Sequence, residues 1–145
     1  MDFRIPLKVE LTAKLPWLDE LGFRIVRHDY SWRSFGDSLV VLQSNSLRLR
    51  FVRERGYVDA QVASLAEPDF WPEVSFVLEA IGRTSRRTRD EPELEAAAEE
   101  VRENLGALIQ AMGPDITQTK IELERRYRER LRDAMQPKPR SNRWW

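Results

Sequence analysis

The sequence predicts an α+β protein, in which an antiparallel meander sheet of three to five strands packs against C-terminal helices. Two observations favour this fold. Between about residues 23 and 64, short apolar or alternating segments are separated by turn-forming residues, which is typical of strands and hairpins. After Glu67-Pro68 the apolar residues recur every three to four positions, which is the spacing of amphipathic helices.

The N-terminal segment admits two interpretations. Residues 3–11 alternate between apolar and polar side chains, as a strand does, although Pro6 would restrict such a strand to a sheet edge. As a helix, the same segment would place Pro6 in a favourable first turn. The segment LPWLDELG that follows predicts a short helix with Pro16 near its start and Gly22 as its end.

From Phe23 onward the pattern predicts consecutive strands. FRIVRHDYS alternates, SLVVLQS is continuously apolar, and SLRLRFV and YVDAQVAS lie on either side of Arg55-Gly56, which we expect to form a two-residue turn. In this register Glu54 faces Tyr57, and Val52 faces Asp59. One set of side chains then lies on a buried face, namely Leu49, Phe51, Val58, Ala60 and Val62. The other set lies on a solvated face, namely Arg48, Arg50, Val52, Asp59 and Gln61.

Three C-terminal helices are predicted, at about residues 71–81, 93–112 and 115–135. The first has an apolar stripe formed by Trp71, Val74, Leu78 and Ile81. The second ends at Gly113-Pro114, and Asp115 can cap the third. The stripe of the third helix consists of Ile116, Leu123, Tyr127, Leu131 and Met135.

Length and composition indicate one folded domain. The chain has 145 residues, of which 41% are hydrophobic and 10% aromatic, and a chain of this size can bury a core. We assign residues 1–136 to the domain and interpret the basic and aromatic segment 137–145 as a flexible tail. The absence of cysteine excludes disulfides and thiolate ligands and favours a reducing cytoplasm. No apolar stretch approaches the ~20 residues of a membrane span, so we expect a cytoplasmic protein without membrane contact.

Candidate catalytic and metal-binding residues are scarce. The single histidine, His28, is expected on the same side of its strand as Arg24 and Val26, opposite Phe23 and Ile25. No glycine pattern of a nucleophile elbow or a phosphate-binding loop is present. With one histidine and no cysteine, only carboxylates remain as metal ligands, and arginines lie near them. We therefore predict no catalytic residue, no metal and no cofactor.

The arginines of residues 46–64 admit two interpretations, which are a solvated sheet face or a partner-binding surface. Taken singly, each residue is better explained as solvated, and Arg50 lies diagonal to Asp59 at a spacing suited to an ion pair. Arginine and tryptophan are nevertheless enriched at interface hot spots, and Trp32, Trp144 and Trp145 are expected to be exposed. The predicted partner-binding residues are Arg48, Arg50, Tyr57, Asp59, Arg83, Arg86 and Arg87. A homodimer is one of the assemblies left open.

Nucleic-acid binding is the alternative. The third helix is rich in arginine between Arg125 and Arg132, and the tail combines Lys138, Arg140 and Arg143 with two tryptophans, which can stack on bases. Against this, 24 basic residues balance 24 acidic ones, so no net field attracts phosphate. Carboxylates are also interleaved with the helical arginines.

Residues 21–82 contain a succession of motifs: GF at 22–23, FG at 35–36 before an apolar strand, an arginine-rich strand ending in RG at 55–56, and FWPEVSFVLEAIG. This succession resembles small bacterial α+β proteins of unassigned function, some of which resemble immunity proteins that accompany secreted toxins. The resemblance implies a fold and a protein partner, and it transfers no catalytic residue. The expected function is therefore a non-enzymatic protein-binding domain.

Overall fold

A computed structural model describes residues 5–34, 36–84 and 93–136. The elements in chain order are α1 (Leu7–Lys14), α2 (Trp17–Glu20), β1 (Arg24–Ser31), a 3-10 turn (Trp32–Ser34), β2 (Asp37–Gln43), β3 (Arg48–Glu54), β4 (Tyr57–Ala63), α3 (Val74–Ala80), α4 (Leu94–Glu103), α5 (Leu105–Ala111) and α6 (Ile116–Met135). The four strands form one antiparallel sheet in the order β1-β2-β3-β4. The predicted α+β meander is confirmed.

The β3–β4 hairpin has the predicted register. Glu54 pairs with Tyr57, and Val52 pairs with Asp59. Arg55 and Gly56 form the turn with φ of 51° and 85°, which are the two positive values of a type I′ hairpin turn. Because an arginine occupies the first of these positions, the turn carries a conformational cost that glycine or asparagine would reduce.

The inner face of the sheet forms the core. Leu49, Phe51, Val58 and Val62 are fully buried there, as the predicted division of the hairpin requires. Helices α1, α3 and α4 pack against β2 and β4, while α5 and α6 pack against α3. We call the opposite side of the sheet the outer face.

The N-terminal segment is helical. Helix α1 begins directly after Pro6 and buries Leu7 and Leu11, so the helical interpretation holds for residues 7–11, while residues 3 and 4 lie outside the described residues. Pro6 suits this position because its missing N–H would have no helical acceptor. The backbone N–H of Leu7 donates instead to Ser38 Oγ at 3.2 Å and attaches α1 to β2.

A bulge in β1 changes the expected positions on that strand. Ile25 pairs with Leu42 and Arg27 with Val41, so Val26 is an additional residue between them. Since directly paired residues point to the same side, Arg24 and Arg27 both lie on the outer face. His28 pairs with the buried Val40 and therefore lies on the inner side, at an exposed strand edge. The predicted grouping of His28 with Arg24 is wrong, because strict alternation takes no account of the extra residue.

Helix α3 begins later than predicted, at Val74, and Trp71 is not part of its apolar stripe. The segment before the helix runs along the edge of β4, where Val62 N donates to Pro72 O at 3.0 Å and Gln61 forms a bridge with Glu73. A residue that precedes proline disfavours the helical conformation, so Pro72 excludes Trp71 from the helix. The indole lies instead over Arg48 and Arg50.

The predicted helix at 93–112 is divided at Asn104, whose side chain donates to Glu100 O at 2.9 Å. Helix α6 has the predicted position, but its stripe is fully buried only at Leu123. Tyr127, Leu131 and Met135 are exposed, with Met135 at 82%. The core therefore ends about halfway along this helix.

One charged side chain of β3 is directed inward. Arg53 is 1% exposed and pairs across the sheet with Ser38 and the buried Val58. Its guanidinium donates to Glu10 Oε2 at 2.9 Å, to Gly36 O at 3.3 Å and to Ile5 O. Arg53 thus connects α1 to the start of β2. It also donates hydrogen bonds to backbone oxygens that are buried away from water.

Candidate functional site: the outer face of the sheet

The strand registers arrange the outer-face side chains in four rows. The rows are Arg24, Gln43, Arg48 and Ala63; Arg27, Val41, Arg50 and Gln61; Asp29, Leu39, Val52 and Asp59; and Ser31, Asp37, Glu54 and Tyr57. We call the first two rows the basic end, because they contain four arginines and no carboxylate. The last two rows are the acidic end, because they contain four carboxylates and no arginine. The outer face is therefore polarised along the strand direction.

Trp71 organises the basic end. The Cζ atoms of Arg50 and Arg48 lie 4.5 and 5.1 Å from the centroid of its ring, in the geometry of cation–π contacts. Arg50 Nε also donates to Gln61 Oε1, and Arg48 Nη1 donates to Pro68 O at 3.2 Å. Both guanidinium groups are thus held in place by β4 and by the segment that follows it.

The positive charge at this end is only partly compensated. Burial, and then the charges of Arg27 and Arg48, lower the pKa of Arg50 below its ordinary value. Within the part of the chain that the structure describes, no carboxylate forms an ion pair with Arg48 or Arg50. A buried Arg48 Nε also has no hydrogen-bond acceptor among the described residues. The basic end would therefore attract a molecule that carries an exposed carboxylate.

The predicted ion pair between Arg50 and Asp59 is wrong. Gln61 lies directly opposite Arg50, whereas Asp59 belongs to the next row. The directly opposite amide is closer than a diagonal carboxylate, and Arg50 donates to it.

The middle of the outer face is apolar. Val41 is only 4% exposed, and it lies between Arg27 and Arg50 in its row, where long arginine stems can cover it. Leu39 and Val52 are half-buried in the next row. Tyr57, in the last row, is 54% exposed. Trp71 and Tyr57 thus place an aromatic ring at each end of the face.

The acidic end has local order of its own. Asp29 Oδ2 forms an ion pair with Arg27 Nη2 at 2.9 Å, across the boundary between the acidic and basic ends. Asp37 Oδ1 accepts the backbone N–H of Arg55 at 3.1 Å, which fixes the carboxylate beside the hairpin turn. Glu54 and Asp59 are exposed.

The structure brings together some of the predicted partner-binding residues and separates others. Arg48, Arg50, Tyr57 and Asp59 share the outer face. Arg83 lies on the helical side, where it donates to Asn104 Oδ1 at 3.1 Å. It borders a groove of about 700 Å³ between α3, α5 and α6, lined by Ile81, Gln110, Asp115, Thr119, Ile121 and Glu122 among others. Arg86 and Arg87 lie outside the described residues.

Sequence reasoning missed Arg27, Trp71 and Glu54 as members of this face. The position of Glu54 could have been predicted, since the predicted pairing of Glu54 with Tyr57 places both residues on the same face as Asp59. Arg27 and Trp71 depend on the bulge and on Pro72, and neither is visible in a periodic pattern.

The arginines of α6 are largely paired with carboxylates of the same domain. Arg125 contacts Glu122 and Glu129, and Arg130 contacts Glu79 at 2.7 Å. Hydrogen bonds from Arg125, and secondarily from Arg126, lower the pKa of Glu122 to about 2. This helix therefore offers a phosphate backbone little uncompensated charge, and the basic tail lies outside the described residues.

The described residues contain no group of three or more histidines, aspartates and glutamates arranged to hold a metal ion. None of the helices described is at once long enough and apolar enough to cross a membrane. Comparisons of the chain with protein-family models, with curated proteins and with solved structures each gave no match.

Proposed function

We propose that this chain is a non-enzymatic cytoplasmic domain that binds another protein through the outer face of its sheet. The observation that carries the proposal is the charge order of that face, with arginines in two rows and carboxylates in the next two. A solvated face requires no such segregation, since opposite charges placed in the same row would pair with one another.

The composition of the face supports a protein partner. Arginine, tryptophan and tyrosine are the residue types most enriched at interface hot spots, and Arg50, Trp71 and Tyr57 supply all three. The side chains of Arg48 and Arg50 are already held in place by the Trp71 indole and by hydrogen bonds to Pro68 and Gln61. Ordering them on binding therefore costs less conformational entropy than ordering free arginines.

The same charge order argues against nucleic acid as the ligand of this face. A phosphate backbone that lay along the strands would meet the arginines of the basic end and then the carboxylates of the acidic end, which repel it. A protein surface can present both signs of charge. The resemblance of residues 21–82 to small bacterial α+β proteins, some of which resemble immunity proteins, also supports a protein partner, of the kind that a toxin would represent.

The test is affinity capture from the native host with three immobilised proteins. These are the wild type, the face variant Arg48→Glu/Arg50→Glu, and a control, Arg128→Glu/Arg132→Glu, which makes the same change in net charge on exposed positions of α6. Circular dichroism first establishes that all three are folded. We expect a specific protein to be retained by the wild type and the control and lost by the face variant.

Two outcomes would contradict the proposal. Retention of the same protein by the face variant would show that another surface binds it. Recovery of nucleic acid alone, released by nuclease or by salt, would favour the alternative function.

A further inference from the structure

The charge order of the outer face is complementary to itself. A two-fold rotation about an axis that lies in the face and crosses the strands between the second and third rows brings the basic end of one copy over the acidic end of another. Each strand then faces its own counterpart in the reverse direction. The opposite stacking, with the basic ends superimposed, would instead juxtapose like charges.

We propose that the face binds a second copy of this chain, as a face-to-face dimer with two-fold symmetry. This inference rests on the proposed function, because it uses the same surface and names the occupant. The two-fold symmetry makes every favourable contact occur twice.

The contacts follow from the rows. Along β1, Arg27 faces Asp29 of the second copy, and along β3, Arg48 faces Glu54 of the second copy. Along β2, Val41 faces Leu39, which places the apolar middle of one face on that of the other. Along β4, the corner covered by Trp71 faces the exposed ring of Tyr57. Two of the four strands thus contribute opposite charges and one contributes an apolar contact, while Arg50 faces Val52 of the second copy.

The size of the face determines how strong this dimer is. Four strands spaced by about 4.8 Å, each of about seven residues that rise ~3.4 Å per residue, cover roughly 450 Å² per copy. This is smaller than the roughly 800 Å² per partner of a standard stable interface. The dimer is therefore weak, and because its ion pairs lie near solvent, salt screens it.

The exposed stripe of α6 is a poorer candidate for self-association. It consists of Tyr127, Leu131 and Met135, with the exposed Ile121 one turn or more before them, a smaller surface than the sheet. Glutamates and arginines flank it without the segregation of charge that would define one orientation.

The experiment is a pair of charge reversals measured by sedimentation velocity over a range of concentrations at low salt. The first variant, Arg27→Glu/Arg48→Glu, places a glutamate opposite Asp29 and another opposite Glu54 of the second copy. The second, Asp29→Arg/Glu54→Arg, places an arginine opposite Arg27 and another opposite Arg48 of the second copy. We expect the wild type to shift from monomer to dimer with concentration and to return to monomer as salt is added. Each variant alone should self-associate at least about tenfold more weakly.

The decisive sample is an equimolar mixture of the two variants. In a mixed dimer each substituted side chain faces a substituted side chain of opposite charge, so we expect dimer formation to be restored. The α6 control, Arg128→Glu/Arg132→Glu, should dimerise like the wild type. Thermal melts establish that the variants are folded.

The second-copy inference is overturned if the wild type stays monomeric at every concentration and salt. It is also overturned if the wild type dimerises but the mixture does not, since the dimer must then use another surface. Neither result affects the capture experiment, in which a different protein can still depend on Arg48 and Arg50. Failure of this inference is therefore distinguishable from failure of the proposed function.

Discussion

Two arginines of β3, three residues apart, should contribute very differently to stability. Arg50 lies on the outer face, whereas Arg53 is 1% exposed on the inner face. We expect Arg53→Met to destabilise the protein severely and Arg50→Met to have a small effect. Methionine preserves an unbranched stem in both cases, so the comparison isolates the guanidinium group.

The magnitudes follow from the contacts. Loss of the Arg53 guanidinium removes the donor to Glu10 Oε2, to Ile5 O and to Gly36 O, while Lys14 still donates to the other oxygen of Glu10. Removing one partner of a buried ion pair costs about 3–5 kcal/mol. Arg50 makes one side-chain hydrogen bond, worth about 1 kcal/mol, and a cation–π contact of ~0.5–1 kcal/mol. Its removal also relieves repulsion from Arg27 and Arg48, so we expect a net loss of about 1 kcal/mol.

Urea unfolding monitored by circular dichroism measures both losses. At roughly 3 °C per kcal/mol for a chain of this length, Arg53→Met should also lower the melting temperature by about 10 °C or more. Glu10→Gln should give an intermediate loss, and the double variant should lose less than the sum of the single variants because the two side chains interact directly. Equal losses for Arg50→Met and Arg53→Met would refute the assignment of the two faces.

Four further predictions test other parts of the structure. Phe51→Ala should cost on the order of 2–5 kcal/mol in urea unfolding because it leaves a cavity beneath the helices, and a loss below 1 kcal/mol would contradict its place in the core. A hydrogen bond from Lys14 holds the pKa of Glu95 below its ordinary value, so this pair stabilises the fold above the unfolded pKa of Glu95 and loses that effect as the pH falls through the folded pKa. Lys14→Met should therefore raise the pKa of Glu95 in a carbon-detected NMR titration, and an unchanged pKa would exclude the pairing. Arg55→Asn should stabilise the fold by up to ~1 kcal/mol and so raise the melting temperature slightly, because asparagine adopts positive φ more readily than arginine. A lower melting temperature would show that Arg55 makes a compensating contact. If residues 137–145 bind nucleic acid, oligonucleotide affinity should fall by roughly 0.7–0.9 log units per log unit of salt for each phosphate contact, with a smaller slope after their deletion, whereas a flat titration at low salt would remove that alternative.

The sequence was sufficient to predict the parts of the fold that depend on local periodicity. The β3–β4 hairpin combines strict alternation with one turn that contains glycine, so both its register and its two faces could be predicted. The C-terminal helices were predicted to within a few residues because their apolar residues recur at the helical spacing. Burial along α6 could not be predicted, because periodicity shows which side chains share a stripe but not how far the core extends beneath it. Tyr127 and Met135 belong to the stripe and are nevertheless exposed.

Arg53 could not be distinguished from its neighbours by residue type. Its position three residues after Arg50 indicates the opposite face, but the cost of burying its charge argues against an inward position unless a partner is known. That partner, Glu10, is 43 residues away in the sequence. It becomes available only because residues 7–14 form a helix over β2, and the sequence left that helix undecided.

The polarity of the outer face depends on the same kind of non-local information. If β1 alternated strictly from Arg24, then Val26 and His28 would lie on the outer face, and Arg27 and Asp29 would point toward the core side. The extra residue at Val26 reverses this arrangement and adds one charge to each end of the face. The other side chain that defines the face, Trp71, is placed there by Pro72, which excludes it from α3. A one-residue bulge and a proline therefore turn an ordinary amphipathic sheet into one whose solvent side has an ordered pattern of charge, and this pattern is the property that both proposed interactions require.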